Sequence, residues 1–176
     1  HTATAAGRFD ELGLQVDWQD YPGGTGAMTA DLRAGKLDLA ILLTEGIVAE
    51  LHHNAHSKIL ATYVRTPLTW GVHVHHGSPI RDVDQLHAPG PARYAVSRMG
   101  SGSHLMAAVD TRTRKRDPSA LHYEVVGGLQ GARGALADGK ADAFMWEKFT
   151  TKPLVDSGEW RRVGECVTPW PCFMVA

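Results

Sequence analysis

A glycine-rich segment in the first part of the chain combines small residues with one hydroxyl side chain. Gly24, Thr25 and Gly26 directly precede a helical pattern. The first N–H groups of a helix have no partner within it, and with the helix dipole they attract carboxylate, sulfonate or phosphate oxygens. Thr25 would add a hydroxyl donor, although a tight turn capped by this threonine explains the same residues. The segment is therefore a candidate anion-binding loop.

A second segment of this kind follows an apolar run that ends near residue 97. Ser101, Gly102 and Ser103 open another helical pattern, where a serine also serves as an ordinary helix cap. Arg98 stands just before them, and its guanidinium group matches the geometry of a carboxylate or sulfonate. Arg98 is therefore the candidate for a charge-assisted bond to an acidic ligand, with a solvated arginine as the alternative.

Two glutamates follow apolar runs at similar places. Thr44 and Glu45 end one run, and Glu147 follows Trp146 at the end of another. No nucleophile or metal ligand is spaced to join these carboxylates in catalysis, so binding of an amine or a ring N–H is the better functional interpretation. Each glutamate would equally suit the first turn of a helix. Trp146 offers either a ring for stacking on a ligand or a core side chain.

The overall composition argues against several classes of function. Eighteen basic and nineteen acidic side chains give a formal net charge of -1, and no basic stretch is interleaved with aromatic residues, so no nucleic-acid partner is expected. No apolar run approaches the ~20 residues of a membrane span, and no membrane insertion is expected. No G-x-S-x-G motif positions a serine nucleophile. The chain is therefore interpreted as a binding protein and not as an enzyme.

Histidine and cysteine residues suggest no metal site and no cofactor. His52 and His56 are four residues apart, but the pattern fixes no third ligand. Cys166 and Cys172 fit neither a disulfide-rich scaffold nor a paired zinc motif, and they either form one bridge or remain free.

An internal repeat relates two parts of the chain. Residue 23 corresponds to residue 127 and residue 38 to residue 142, an offset of 104 residues in both cases. In each copy a glycine pair opens a helix, a later glycine ends it, and an apolar strand follows. Two similar lobes explain this repeat better than a chance match.

Apolar, β-rich runs alternate with helical patterns along the whole sequence, which is typical of an α/β protein. The predicted strands are Leu14–Trp18, Leu37–Leu43, Ile59–Val64, Thr69–His75, Arg93–Ser97, Leu121–Val126, Ala141–Trp146 and Cys172–Ala176. The predicted helices are Thr2–Leu12, Gly26–Ala34, Gly46–His53, Ser103–Thr113, Leu129–Ala137 and Lys148–Ser157.

Several motifs together resemble a known family. They are GGTGAMTADLRAGKLDLAILLTEG at 23–46, TPLTWGVHV at 66–74, SRMGSGSHLM at 97–106, ADAFMWEKFTTKP at 141–153 and TPWPCF at 168–173. With these motifs the sequence resembles type 2 periplasmic-binding proteins, in the poorly characterised part of the branch that includes nitrate, sulfonate and taurine binders and the thiamine-pyrimidine synthase-like proteins. The cysteine cluster of the synthase-like members has no counterpart here, so their chemistry is not carried over.

The resemblance implies two similar lobes of mixed sheet flanked by helices and joined by two crossover segments. We expect the first lobe at 1–78 plus 166–176 and the second at 79–165. The family begins with a strand whose loop lines the cleft, whereas this chain opens inside the first helix and ends without closing helices. The fold is therefore expected to be incomplete at both ends, with part of the site missing.

The ligand is expected between the rims of the two lobes, which would close on it by a hinge motion. The predicted ligand-binding residues are Gly24, Thr25, Gly26, Thr44, Glu45, Thr66 and Pro67 in the first lobe, and Arg98, Ser101, Gly102, Ser103, Trp146 and Glu147 in the second.

The predicted function is that of a solute-binding protein that clamps one small organic molecule, as the receptor component of an ABC-type uptake system. An ABC transporter permease would then be its protein partner. A biosynthetic enzyme on the same fold and a ligand-sensing domain of a regulator are the alternatives. If the protein is bacterial, a periplasmic or extracellular location is expected, because any signal segment would lie outside this chain.

Overall fold

The computed structural model describes residues 2–53, 57–88 and 90–176, which form two β-sheets flanked by helices. The strands are β1 (Ile41–Leu43), β2 (Ala61–Val64), β3 (Thr69–His75), β4 (Arg93–Val96), β5 (His122–Val125), β6 (Ala143–Glu147), β7 (Trp160–Val167) and β8 (Phe173–Val175). The α-helices are α1 (Thr2–Ala5), α2 (Gly24–Arg33), α3 (Thr44–His53), α4 (Val83–Leu86), α5 (Gly102–Thr113), α6 (Leu129–Ala137) and α7 (Lys152–Asp156). Short 3-10 turns lie at Asp10–Leu12 and Pro118–Ala120. No helix in these ranges is both long and apolar enough to span a bilayer.

The smaller sheet has three strands in the order β1-β8-β2, with β8 antiparallel to both neighbours. Its core is small and forms under α2 and α3. Leu42 and Ile47 are fully buried there, and they pack with Ala40 and Ala176. This sheet therefore serves mainly as the platform from which α2 and α3 project their first turns.

The larger sheet has five strands in the order β5-β4-β6-β3-β7. β4 runs parallel to β5 and β6, whereas β3 is antiparallel to β6 and β7. One face is covered by a core that includes Val72, Tyr94 and Met106. The opposite face packs Phe144 and Trp160 against α6 and its surroundings. The central strands β4, β6 and β3 are thus buried on both faces, whereas β5 and β7 at the edges are more exposed.

The sequence repeat recurs in the hydrogen bonding of the two copies. Gly35 follows α2 and Gly139 follows α6, and both adopt a left-handed backbone conformation with φ of 66° and 68°. The N–H of Lys36 donates to the carbonyl of Asp31 at 2.9 Å, and the pair 104 residues later, Lys140 and Ala135, repeats that bond at the same distance. Both helices therefore end in the same glycine-dependent motif, and the expected α/β fold with two similar units is confirmed.

Some predicted elements differ from the observed ones. The predicted strand at Leu14–Trp18 is wrong, because this segment has no regular secondary structure and its apolar side chains are largely exposed. Alternation produces a strand only where a neighbouring strand is available to pair with it. The helix predicted at Lys148–Ser157 is observed only as the shorter α7, Lys152–Asp156. The strand β7 and the helix α4 were not predicted. β7 is an edge strand whose charged residues interrupt the apolar pattern by which a strand is predicted.

Two crossover segments connect the sheets and run side by side. Leu68 and Thr168 exchange two hydrogen bonds of 3.0 Å, one between their backbones and one from the Leu68 N–H to the Thr168 hydroxyl. Grouped by sheet, β3 belongs with the second lobe, because it pairs with β6 and β7. The predicted boundary at residue 78 had placed β3 in the first lobe, so strand pairing favours a boundary near the Leu68–Thr168 contact.

Candidate functional site

A cleft lies where the first turns of α2 and α3 face the first turn of α5 and the loop before it. It contains two adjoining cavities of about 170 and 340 Å³. Both cavities are lined from the smaller-sheet side and from the larger-sheet side, and they share Thr25, Gly46, Ala49, Arg98 and Gly100. Helix N-termini from the two sides of the cleft therefore converge on one space.

Arg98 and Gly26 bring the two sides of the cleft together. Arg98 is exposed, follows β4 by two residues, and places its guanidinium group directly against the first turn of α2. A Cβ atom on Gly26 would overlap with that guanidinium group. No carboxylate in the described part of the chain forms an ion pair with Arg98. Its positive charge is therefore positioned at the cavity wall without an acidic partner there.

Close packing of α2 on α3 shapes the first side of the cleft. The methyl group of Thr25 occupies the space that a Cβ atom on Gly46 would need. Farther from the opening, the Arg33 guanidinium binds Glu50 through two hydrogen bonds of 2.9 and 2.5 Å. Thr25 and Arg33 line the larger cavity, and the salt bridge leaves Arg98 as the cation best placed to attract an anion.

Glu45 is the most unusual side chain of the site. It lies in the first turn of α3, is 8% exposed, and lines the smaller cavity. Its Oε2 accepts a hydrogen bond of 3.0 Å from the Trp170 indole N–H, but its Oε1 is buried and has no partner among the described residues. Burial raises the pKa of this carboxyl above its usual value, while the backbone N–H and Trp170 oppose the rise.

The α5 end of the cleft is organised by its own serines. Ser103 Oγ accepts from the Ser97 N–H at 2.9 Å and lies 3.0 Å from Ser101 Oγ. Ser101 accepts from the His104 N–H. Ser101 is therefore the helix cap, whereas Ser103 lies inside the first turn of α5 and binds the backbone just after β4. Gly102 leaves room for the Trp70 ring, whose nearest atom would lie 2.8 Å from an added Cβ.

His104 and three apolar residues were not predicted to belong to the site. His104 lines the smaller cavity, and its Nδ1 accepts a hydrogen bond of 3.0 Å from the Gly100 N–H. The neutral ring therefore carries its proton on Nε2. Leu43, Ala49 and Leu105 also line this cavity. A cap-plus-three spacing from Ser101 was the only available sequence signal for His104, and the apolar residues gave none.

Several predicted site residues do not line the two cavities. Gly24 begins α2 in a left-handed conformation, with φ of 63°. Thr44 is buried and donates its hydroxyl to the Pro171 carbonyl. Thr66 and Pro67 are exposed in the first crossover segment. A ligand role for these four residues stays a prediction, and the structure shows that Thr44 fastens α3 to the second crossover.

Glu147 and Trp146 also have structural surroundings. Glu147 ends β6 and accepts hydrogen bonds from the N–H groups of Phe149 at 3.0 Å and Thr150 at 2.5 Å, so it stabilises the turn before α7 and does not lie in the first turn of a helix. Trp146 stacks on Phe144, with ring centroids 5.2 Å apart, and meets the edge of Trp70.

The histidine pair and the cysteines add no chemistry to the cleft. His52 is exposed, and His56, its predicted neighbour, lies outside the described residues. Within the described ranges, no three His, Cys, Asp or Glu side chains are grouped to hold a metal ion. Cys166 and Cys172 are both free and buried, and burial raises the pKa of each thiol to about 11.

Comparison with solved structures defines the class of the fold. With the Candida albicans CA3427 gene product, described as exhibiting the generic periplasmic-binding-protein fold, the chain shares 28% identity at a TM-score of 0.87, covering 99% of this chain and 57% of that one. It also resembles the periplasmic aliphatic sulphonate binding protein SsuA of Escherichia coli, with 17% identity, a TM-score of 0.71 and coverage of 99% and 59%. A binding protein component of an ABC phosphonate transporter from Pseudomonas aeruginosa matches with 14% identity, a TM-score of 0.66 and coverage of 99% and 60%.

These likenesses and the two sheets joined by two crossover segments show the type 2 periplasmic-binding fold, as predicted from the motifs. The model of the Ca3427-like periplasmic-binding-protein family matches residues 70–166, more than half of the chain. The chain belongs to this family. It spans less than two thirds of the length of the solved structures named above. No curated protein matches the sequence.

Proposed function

We propose that this protein binds one small acidic organic solute in the cleft between its two sheets and closes on it. The observation that supports this proposal most strongly is the placement of Arg98. Its guanidinium group comes from the larger-sheet side, packs on the first turn of α2, and lines both cavities. An anion there would contact a cation and the unpaired N–H groups of a helix N-terminus together.

The site favours binding over catalysis. The buried serines are hydrogen-bonded to one another and to backbone, and the cysteine thiols are held in their protonated form by burial. His104 uses Nδ1 to accept a backbone N–H, so it is not paired with a serine as a general base. The residues that reach the cavity offer charge and hydrogen bonds, which are the requirements of a solute receptor.

Delivery of the solute to an ABC transporter permease is the finer form of this proposal. The E. coli and P. aeruginosa proteins named above are described as binding proteins for a sulphonate and for an ABC phosphonate transporter. Both descriptions concern acidic solutes, in agreement with Arg98 as the anion contact. A ligand-sensing or biosynthetic protein on the same fold would use the same cleft, and it would differ in the fate of the solute after binding.

Small-angle scattering and calorimetry test the proposal together. We expect propanesulfonate, propylphosphonate or butanoate to bind the purified full-length protein, and the radius of gyration to fall at saturation. Arg98→Gln should weaken binding by about ten- to a hundredfold, as for loss of a charge-assisted hydrogen bond. Mass spectrometry should recover the solute unaltered. Conversion of the solute would favour an enzyme, and unchanged affinity in Arg98→Gln would contradict the proposed site.

A further inference from the structure

We propose that the solute carries an N–H donor, such as an amine, which binds Glu45 while its acidic group binds near Arg98. This inference rests on the proposed function and specifies the chemical class of the ligand. Such a solute has an N–H donor at one end and an acidic group at the other, and the carboxylate of Glu45 recognises the nitrogen end.

The unpaired oxygen of Glu45 is the first observation. Glu45 is 92% buried, because only 8% of its surface is exposed, and one of its two carboxylate oxygens has no donor within the described residues. A buried carboxylate oxygen without a donor is costly, by about 1–3 kcal/mol or more. Glu45 lines the smaller cavity, so a ligand bound there is the group that could supply the missing donor.

The hydrogen bond from Trp170 and the helix ends near Glu45 stabilise its ionised form, and so oppose the rise in pKa that burial causes. Its Oε2 accepts a hydrogen bond from the Trp170 N–H, which stabilises the ionised form more than the neutral acid. Glu45 stands in the first turn of α3, and its Oε1 would lie 3.4 Å from a Cβ placed on Gly102 at the start of α5. Two helix N-termini therefore face the carboxylate, and both stabilise its negative charge. A carboxylate with a free oxygen accepts from a ligand N–H.

The position of Oε1 also explains why lobe motion would be needed. The oxygen lies close to Gly102, and the Trp70 ring lies on the same side of that glycine, because both are near the position of an added Cβ. Gly102 and Trp70 belong to the larger-sheet side, whereas Glu45 belongs to the smaller-sheet side. Separation of the two sides would uncover Oε1 for the nitrogen, and closure would cover the bound nitrogen again.

Arg98 supplies the complementary end. Arg98 and Glu45 line the same cavity of about 170 Å³, one from each side of the cleft. A solute with a single charge would leave one of the two groups without a counterpart. A short molecule with an amine and an acid satisfies both and buries no net charge of its own.

Matched pairs of compounds provide the test. Calorimetry would compare aminopropanesulfonate with propanesulfonate, aminopropylphosphonate with propylphosphonate, and aminobutanoate with butanoate, each against the full-length protein. We expect the amine-bearing member of at least one pair to bind about ten- to a hundredfold more tightly, the range for a charge-assisted hydrogen bond.

Glu45→Gln should abolish this preference while the amine-free compounds bind as before. Glu165→Gln is the matched control, because Glu165 carries the same charge, pairs with Lys148 and Arg162 on the edge strand β7, and does not line the cleft. It should keep the full preference for the amine. If Glu45→Gln does not fold, equal affinity for both members of every pair in the unaltered protein would still overturn the role of Glu45.

The two proposals fail in different ways. Equal affinity for both members of every pair, with Arg98→Gln weakening all of them, would overturn the role of Glu45 and leave the proposed function standing. A preference for the amine that persists in Glu45→Gln would overturn it as well. Absence of binding by every compound at millimolar concentration would overturn the proposed function itself.

Discussion

Glu45 and Glu147 stand at the ends of the two strands that complete the repeated unit, and they have different surroundings. Glu147 turns back on its own chain and accepts from two backbone N–H groups. Glu45 accepts from Trp170, 125 residues away, and keeps one buried oxygen at the cavity without a hydrogen-bond partner among the described residues. The same residue type at the same kind of position therefore stabilises a turn in one copy and is available to a ligand in the other.

The chain after each strand accounts for this difference. After β1 the chain enters α3 at once, so Glu45 occupies the first helical turn and projects from it. After β6 a turn precedes α7, and Thr151 in that turn lies 2.9 Å from His73 in the larger sheet. The polar groups that follow β6 thus bind one another within the protein, whereas one carboxylate oxygen of Glu45, after β1, has no such partner among the described residues. Three predictions test this contrast, in order of decreasing effect.

The largest effect should come from protonation of His73, whose ring contacts Thr151 in the turn after β6. His73 is fully buried, and burial lowers its pKa from 6.5 to about 4. The unfolded chain therefore takes up a proton below pH 6.5 that the folded chain takes up only near pH 4. The contribution of His73 to the free energy of unfolding should have its full value above pH 6.5. It should fall by about 3 kcal/mol as the pH drops to 4, since each pKa unit corresponds to about 1.36 kcal/mol.

Urea unfolding at a series of pH values would measure this loss, with His73→Asn as the comparison. The variant is expected to be less stable at neutral pH, and its dependence on pH between 4 and 6.5 should be flatter than that of the unaltered protein. Parallel curves for the two proteins would show that other groups cause the dependence. Burial also lowers the pKa of His87 and His104, so only the difference between the two curves is assigned to His73.

The fold could be predicted from the sequence because strand and helix patterns there agree with the tertiary environment. Thr69–His75 and Leu129–Ala137 were predicted with the observed bounds, since both elements have continuous apolar patterns. The strand predicted at Leu14–Trp18 is not formed, because this segment of alternating apolar and polar residues has no neighbouring strand to pair with in the described structure. β7 was missed for the opposite reason. Its sequence is rich in charged residues, but pairing with β3 stabilises it as a strand.

The candidate site was predictable only in part. Glycine loops and Arg98 carried local signals, and the structure brings Arg98, Thr25 and Gly26 together. The bond from Trp170 to Glu45 joins residues distant in sequence, so no spacing could indicate it. For the same reason, the different roles of Glu45 and Glu147 could not be separated before their partners were known.

A medium effect is expected from Thr151→Val, which keeps the side-chain shape and removes the hydroxyl. The His73 Nδ1 lies 3.3 Å from the Phe144 carbonyl, so it carries the proton, and Nε2 accepts from Thr151. The substitution leaves that buried nitrogen without a donor and should cost about 1–3 kcal/mol. Thermal and urea unfolding would measure the loss, with the exposed Thr150→Val as control. An equal loss in both variants would refute the role of the His73 contact.

The smallest effect should come from Glu147→Gln, which distinguishes the role of Glu147 from that of Glu45. Glutamine retains one carbonyl oxygen, so it keeps one of the two backbone hydrogen bonds and loses the charge. Because Glu147 is only partly buried, the cost should be a few tenths of a kcal/mol to about 1 kcal/mol of stability. Its affinity for an amine-bearing solute should equal that of the unaltered protein, whereas Glu45→Gln should lose affinity. Calorimetric titration and thermal melting of both variants would measure the two quantities. A drop in affinity of tenfold or more in Glu147→Gln would show that the second strand end also contacts the ligand, and the contrast between the two copies would then be wrong.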